Sequence, residues 1–141
     1  TSSNTTVIAE YLHNGGGYSL DEMNNFFEAA ELALDYGKRD LLPTVKSFQK
    51  DELSRQFLMR DYLYLKLSQP EPFDILYVTP SAFLIYNLHD HSFRLGGDVK
   101  YTRVTNLEFT LRQQYFSQES FTEFGEKINT YKIDLMVKKY F

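Results

Sequence analysis

Leu107-Glu108-Phe109-Thr110-Leu111-Arg112-Gln113-Gln114-Tyr115 alternates apolar and polar side chains over most of its length. A period of two belongs to a β-strand with two unlike faces. Leu107, Phe109, Leu111 and Tyr115 share one face with Tyr101, while Glu108, Thr110 and Arg112 share the other with Thr102. The stretch from Ile128 to Phe141 repeats the pattern. There Tyr131, Ile133, Leu135, Val137 and Phe141 oppose Thr130, Lys132, Asp134 and Lys138. Two such strands are expected to pair antiparallel, with the apolar side covered and the charged side wet. Tyr131 and Leu135 are thus predicted in the core, and Lys132 in water.

Strand signals continue upstream. Ala82 to Leu88 is largely apolar and predicts a central strand; Asp74 to Val78 predicts a short one, closed by Thr79-Pro80-Ser81. His89-Asp90-His91-Ser92 reads as a turn into Phe93–Leu95, and Gly96-Gly97-Asp98 as the next turn.

Before about residue 68 the period becomes helical. Ser19-Leu20-Asp21-Glu22 has the spacing of a capping box. Behind it Leu20, Met23, Phe27, Ala30 and Leu34 share a face, with Phe26 and Ala33 at its edge. Gly37 supplies a left-handed stop before Lys38 and Arg39. Val7 to His13 predicts a short helix ending at Asn14-Gly15-Gly16-Gly17. Asp40-Leu41-Leu42-Pro43 starts a second short helix or an extended link. Asp51 to Ser68 predicts a third helix, apolar nearly all round. Leu63, Leu65 and Leu67 alternate with Tyr62, Tyr64 and Lys66, which also fits a strand; the length of the element from Asp51 favours the helix.

The fold class is therefore α+β, with N-terminal helices packed on one face of a C-terminal antiparallel sheet. Residues 1–18 read as a flexible or short-helical segment and 19–141 as a single α+β domain. The order of elements, helices and then a long antiparallel meander, resembles the cone-shaped fold of the nuclear transport factor-like superfamily. That resemblance implies a pocket between helices and sheet, in a superfamily of enzymes, ligand binders and assembly domains.

Composition excludes several function classes. The chain of 141 residues has no cysteine, so disulfides, zinc ribbons and thiolate nucleophiles are ruled out. No apolar run approaches the roughly 20 residues that span a bilayer. The net charge is −4, and residues 1–40 set only Lys38 and Arg39 against Glu10, Asp21, Glu22, Glu28, Glu31, Asp35 and Asp40. Nucleic acid would require a basic face. Gly15–Gly17 and Gly96-Gly97 lack the lysine and hydroxyl residue of a phosphate loop. No cofactor motif is present. Aromatic residues make up 16%, all of them Tyr and Phe; the codon bias of an AT-rich genome accounts for such a composition, and so does a contact surface.

Four side chains fall outside the expected core and are interface candidates. Leu32 and Tyr36 stack four residues apart, away from the Met23–Phe27–Ala30 face; either another helix or a partner covers them. Phe121 and Phe124 lie in the loop between the last two strands, and form a contact patch or tuck against the sheet end. His89 and His91 are weak metal candidates, because two imidazoles at i and i+2 share a side of a strand. A third donor would have to come from Asp98 or His13, and a plain hairpin turn explains the same residues. With no catalytic signature, the leading expectation is a non-catalytic protein–protein interaction or assembly module of a larger complex, through a protein partner or self-association. The alternative is a small-molecule-binding or hydrolytic cone-shaped domain.

Overall fold

The structure, a computed structural model, describes residues 4–35, 57–127 and 129–141. Six strands form one antiparallel sheet in sequence order: β1 Thr6–His13, β2 Asp61–Ser68, β3 Val78–Asn87, β4 Phe93–Tyr101, β5 Leu107–Phe116 and β6 Tyr131–Lys139. One helix, α1 Leu20–Asp35, stands among the described residues. The architecture is α+β, and among the described residues that one helix stands for the leading set of helices expected.

Helix α1 starts where its cap dictates. The Ser19 hydroxyl accepts the Glu22 N–H at 3.3 Å, and the Glu22 carboxylate accepts the Ser19 N–H at 2.7 Å. Met23 and Phe27 then lie one turn apart and are buried, with Phe26 packed beside them. The stop expected at Gly37 and the short element at 40–43 lie outside the described residues.

Two expected helices are strands. Val7–His13 is most of β1, because β-branched Val7 and Ile8 favour a pleated backbone. Residues 61–68 are β2, paired to β1 from Thr6↔Ser68 through His13↔Asp61. The alternation of Leu63, Leu65 and Leu67 with the tyrosines thus carries the strand signal; residues 51–56 lie outside the described residues. Gly96-Gly97 is no turn but lies within β4. The Phe83 ring lies where a Gly96 side chain would stand, so glycine is what admits that ring. The strand expected at 74–78 begins only at Val78, after a 3-10 turn at Pro72–Asp74.

The pairing of the last two strands is as expected. Tyr115 lies opposite Tyr131, and Leu107 opposite Lys139. Their faces, however, are reversed. The core cluster joins Met23 and Phe27 of α1 to Met59, Tyr62, Ile85 and Phe124, with Leu12, Tyr64, Phe83 and Phe116 packed around it. The sheet residues of that cluster belong to the face that carries Glu108, Thr110 and Gln114, which are buried. Leu111, Tyr131, Ile133, Leu135 and Val137 are exposed. Tyr62 and Tyr64 of β2, Phe83 and Ile85 of β3 and Phe116 of β5 share this face and gather with Met23 and Phe27 of α1 in the core, and these decide which side is inner.

Candidate functional site

Strand register assembles the outer face row by row. One row runs Ala9, Leu65, Leu84, Leu95, Tyr115, Tyr131 across all six strands. The next runs Val7, Leu67, Ala82, Gly97, Gln113, Ile133. Tyr11, Leu63, Tyr86 and Phe93 flank them on one side; Pro80, Val99, Leu111 and Leu135 flank them on the other. None of these side chains carries a charge. Leu135 is 72% exposed and Ile133 61%. Contiguous apolar surface on this scale is uncommon on a soluble monomer and marks a contact surface.

The outer face is not flat. A groove of about 320 Å³ is lined by Ala82, Leu95, Gly97, Gln113, Tyr115 and Tyr131, with backbone-level contributions from Gly96 and Gln114. Glycine and alanine on adjacent strands, Gly97 opposite Ala82, leave the depression. The Tyr131 hydroxyl donates to Gln113 Oε1 at 3.0 Å, so these two polar side chains on the face engage each other.

The inner face is polar beyond the core. Glu108 receives Lys100 at 3.4 Å and Lys138 at 3.7 Å, and Arg112 lies 3.9 Å from Asp98. The Arg94 guanidinium stacks on Phe83 and Phe116 and donates to Gln114 Oε1 at 2.7 Å. Burial, then the nearby Arg112 charge, holds the Arg94 pKa below its usual value.

At one end of the sheet, a buried carboxylate ties three segments together. Glu123 accepts the Leu58 N–H, the Tyr62 hydroxyl and the Asn87 side-chain amide at 3.0, 2.6 and 3.0 Å. Burial pushes the Glu123 carboxyl up despite these donors, and pushes the Tyr62 hydroxyl up as well. Nearby, Asp61 accepts from Tyr11 and engages His13 Nδ1 and His89 Nε2, each at 2.7 Å. The bonds from His13, Tyr11 and His89 hold the Asp61 carboxyl well below the usual carboxylate range.

The histidines therefore separate. His89 goes to Asp61, while His91 sits 2.9 Å from the Tyr86 hydroxyl. His13 does join His89, but through the carboxylate between them. Among the described residues no three His, Asp or Glu side chains are placed to hold a metal ion, and no helix is long and apolar enough to cross a membrane.

The interface candidates fall in different places. Leu32 is exposed on α1, and Tyr36 lies outside the described residues. Phe121 is partly exposed with its ring edge-on to Phe27 at 6.0 Å, whereas Phe124 is a core residue. Sequence reasoning missed the outer face although its residues were named, because alternation alone does not say which side is covered. It also missed the 71–77 connection, where Phe73, Ile75, Leu76 and Tyr77 are exposed. Glu71, Phe73, Asp74 and Tyr77 take positive φ there. Comparison with known protein families, with curated proteins and with solved structures finds no match for this chain.

Proposed function

We propose that this chain is a non-catalytic protein–protein interaction or assembly module of a larger complex, with the outer face of its sheet as the contact surface. One observation carries the reading: a largely apolar face, uncharged in its central rows, runs across all six strands and is exposed. Interfaces are depleted of charge at their centre and enriched in Tyr and Phe, which is the composition here. The inner-face carboxylates support the same reading, since Glu108 and Asp98 are engaged by Lys100, Lys138 and Arg112.

The alternative, a cone-shaped binding or hydrolytic domain, draws on the polar inner face. Ser81 Oγ and the Nε atoms of Arg94 and Arg112 are buried there without a hydrogen-bond partner. A small molecule with acceptor groups would satisfy the arginines.

The test is a double substitution, Leu111→Lys with Leu135→Lys, measured for both stability and association. An unchanged melting transition with lost association supports a contact surface. Collapse of the fold would mean that the face is core, and the proposal would fail. Binding of small anionic ligands that disappears in Arg112→Gln would favour the pocket instead.

A further inference from the structure

Resting on the reading of the outer face as a contact surface, we infer that its occupant is the same face of a second copy of this chain. The two sheets would stack about a two-fold axis.

Area is the first argument. Six strands about 4.8 Å apart, each rising about 3.3 Å per residue over eight residues, outline roughly 750 Å². A stable complex of standard size buries about 800 Å² from each partner, so one face against its copy is enough. Packed sheets sit about 10 Å apart with strands inclined by about 30°, an arrangement that suits two faces of this size.

Charge is the second. The chain carries −4 overall, so most surfaces would resist meeting their own copy. The central rows of the outer face carry no charge, with Asp61 and Lys139 standing only at its margins, so those rows meet their own copy without like-charge repulsion. A face built for a basic or acidic partner would carry the opposite sign across its centre. The β6 edge is a poorer place for self-association: it ends in Lys138 and Lys139 and also carries Lys132, and lysines blunt strand addition.

Shape is the third. A two-fold contact must be self-complementary, because each copy offers the same patch. This face has both parts: a depression at Ala82 and Gly97, and protruding aliphatic side chains at Ile133 and Leu135. The protrusions of one copy would enter the depression of the other.

Sedimentation of the full 141-residue chain, from micromolar to submillimolar concentration, tests this directly. The expected result is a species of twice the 16.6 kDa chain mass. Leu135→Lys should weaken it by about thirtyfold or more, because a charge would replace a side chain that enters the partner's depression, while the melting transition of the monomer is kept. Leu135→Ser serves as the milder variant should the lysine unfold the chain. A dimer unmoved by Leu135→Lys and by Leu95→Lys would place the contact elsewhere and overturn the inference. So would a wild-type chain that sediments as a monomer. Maleimide labelling of Leu135→Cys, clean because the chain has no other cysteine, then tells the two proposals apart. Rapid labelling of a monomer leaves the face open to a different partner, so only the dimer falls. Blocked labelling in a monomer means that the chain covers its own face, and both fall.

Discussion

Removing one oxygen atom, by Tyr62→Phe, is expected to destabilise the fold by about 3 kcal/mol. The ring would stay: Tyr62 is fully buried and its ring packs on Phe57 at 5.1 Å and Phe124 at 6.5 Å between centroids. Phe preserves those contacts. What disappears is the hydroxyl that donates to Glu123 at 2.6 Å and accepts the Met59 N–H at 2.6 Å. A bond to a carboxylate contributes about 1.5–3 kcal/mol, and a buried N–H left without a partner costs about 1–3 kcal/mol more. Partial relaxation brings the net toward the lower end of the summed range, about 3 kcal/mol. With an unfolding entropy of about 2.1 cal/mol/K per residue, about 3 kcal/mol lowers the melting temperature by about 10 °C.

Thermal melting followed by circular dichroism should compare wild type, Tyr62→Phe, Glu123→Gln and the double variant. The pair should couple by about 1 kcal/mol or more, since both act on one buried bond. Acidity supplies an independent readout. Burial raises the folded-state pKa of Glu123 above its ordinary 4.5, so the folded protein holds this proton more tightly than the unfolded chain. Its contribution is greatest below 4.5, declines as pH rises toward the raised value, and is level beyond it. Glu123→Gln should remove that slope. A Tyr62→Phe variant that melts with wild type, or strict additivity in the double variant, would refute the account of Glu123 as the tie between β2, β3 and the 117–127 loop.

Leu135→Lys should leave the monomer's stability within about 1 kcal/mol, because little of that side chain is removed from water, whereas Ile85→Lys puts a charge into the core and should unfold the domain; urea titration distinguishes them. Gly17→Ala should destabilise by about 2 kcal/mol in the same assay, since a Cβ there would overlap the Met59 carbonyl. Asp61 behaves oppositely to Glu123: its folded pKa is depressed from 3.8, so its contribution is complete above that value and is lost as pH falls below it. Melting curves in acid should show that loss in wild type and not in Asp61→Asn.

Sequence period located β5 and β6, and the reason is length. β5 and β6 each alternate over enough residues to exclude a helix, and the antiparallel pairing expected of them is found, with Tyr115 against Tyr131. The cap of α1 was equally legible because Ser19 and Glu22 act within one turn. β2 was not. Its tyrosines and leucines are apolar on both sides, so eight residues satisfy helix and strand alike. Extending the element back to Asp51 chose the wrong one. The end cluster was half visible: His13 and His89 were considered together as metal donors. Asp61, which joins them, lies 48 residues from one and 28 from the other. No local pattern relates positions so far apart.

The inverted faces of β5 and β6 bear on function. Alternation states that two sides of a strand differ, and the hydrophobic effect states that the apolar side gains by leaving water. Neither statement names the cover. α1 was the cover expected, and Met23 and Phe27 instead join the side that carries Tyr62 and Ile85. The requirement for cover on the odd-numbered side of β5 and β6 is not cancelled by that choice. Leu111, Ile133, Leu135 and Val137 still stand in water, joined through the register to the leucines of β2 and β4. Association would lower the free energy of a patch that large, and the absence of charge in its central rows leaves little to oppose the contact with its own copy proposed above. The same alternation that makes these strands recognisable is therefore what motivates the proposed contact with a second chain.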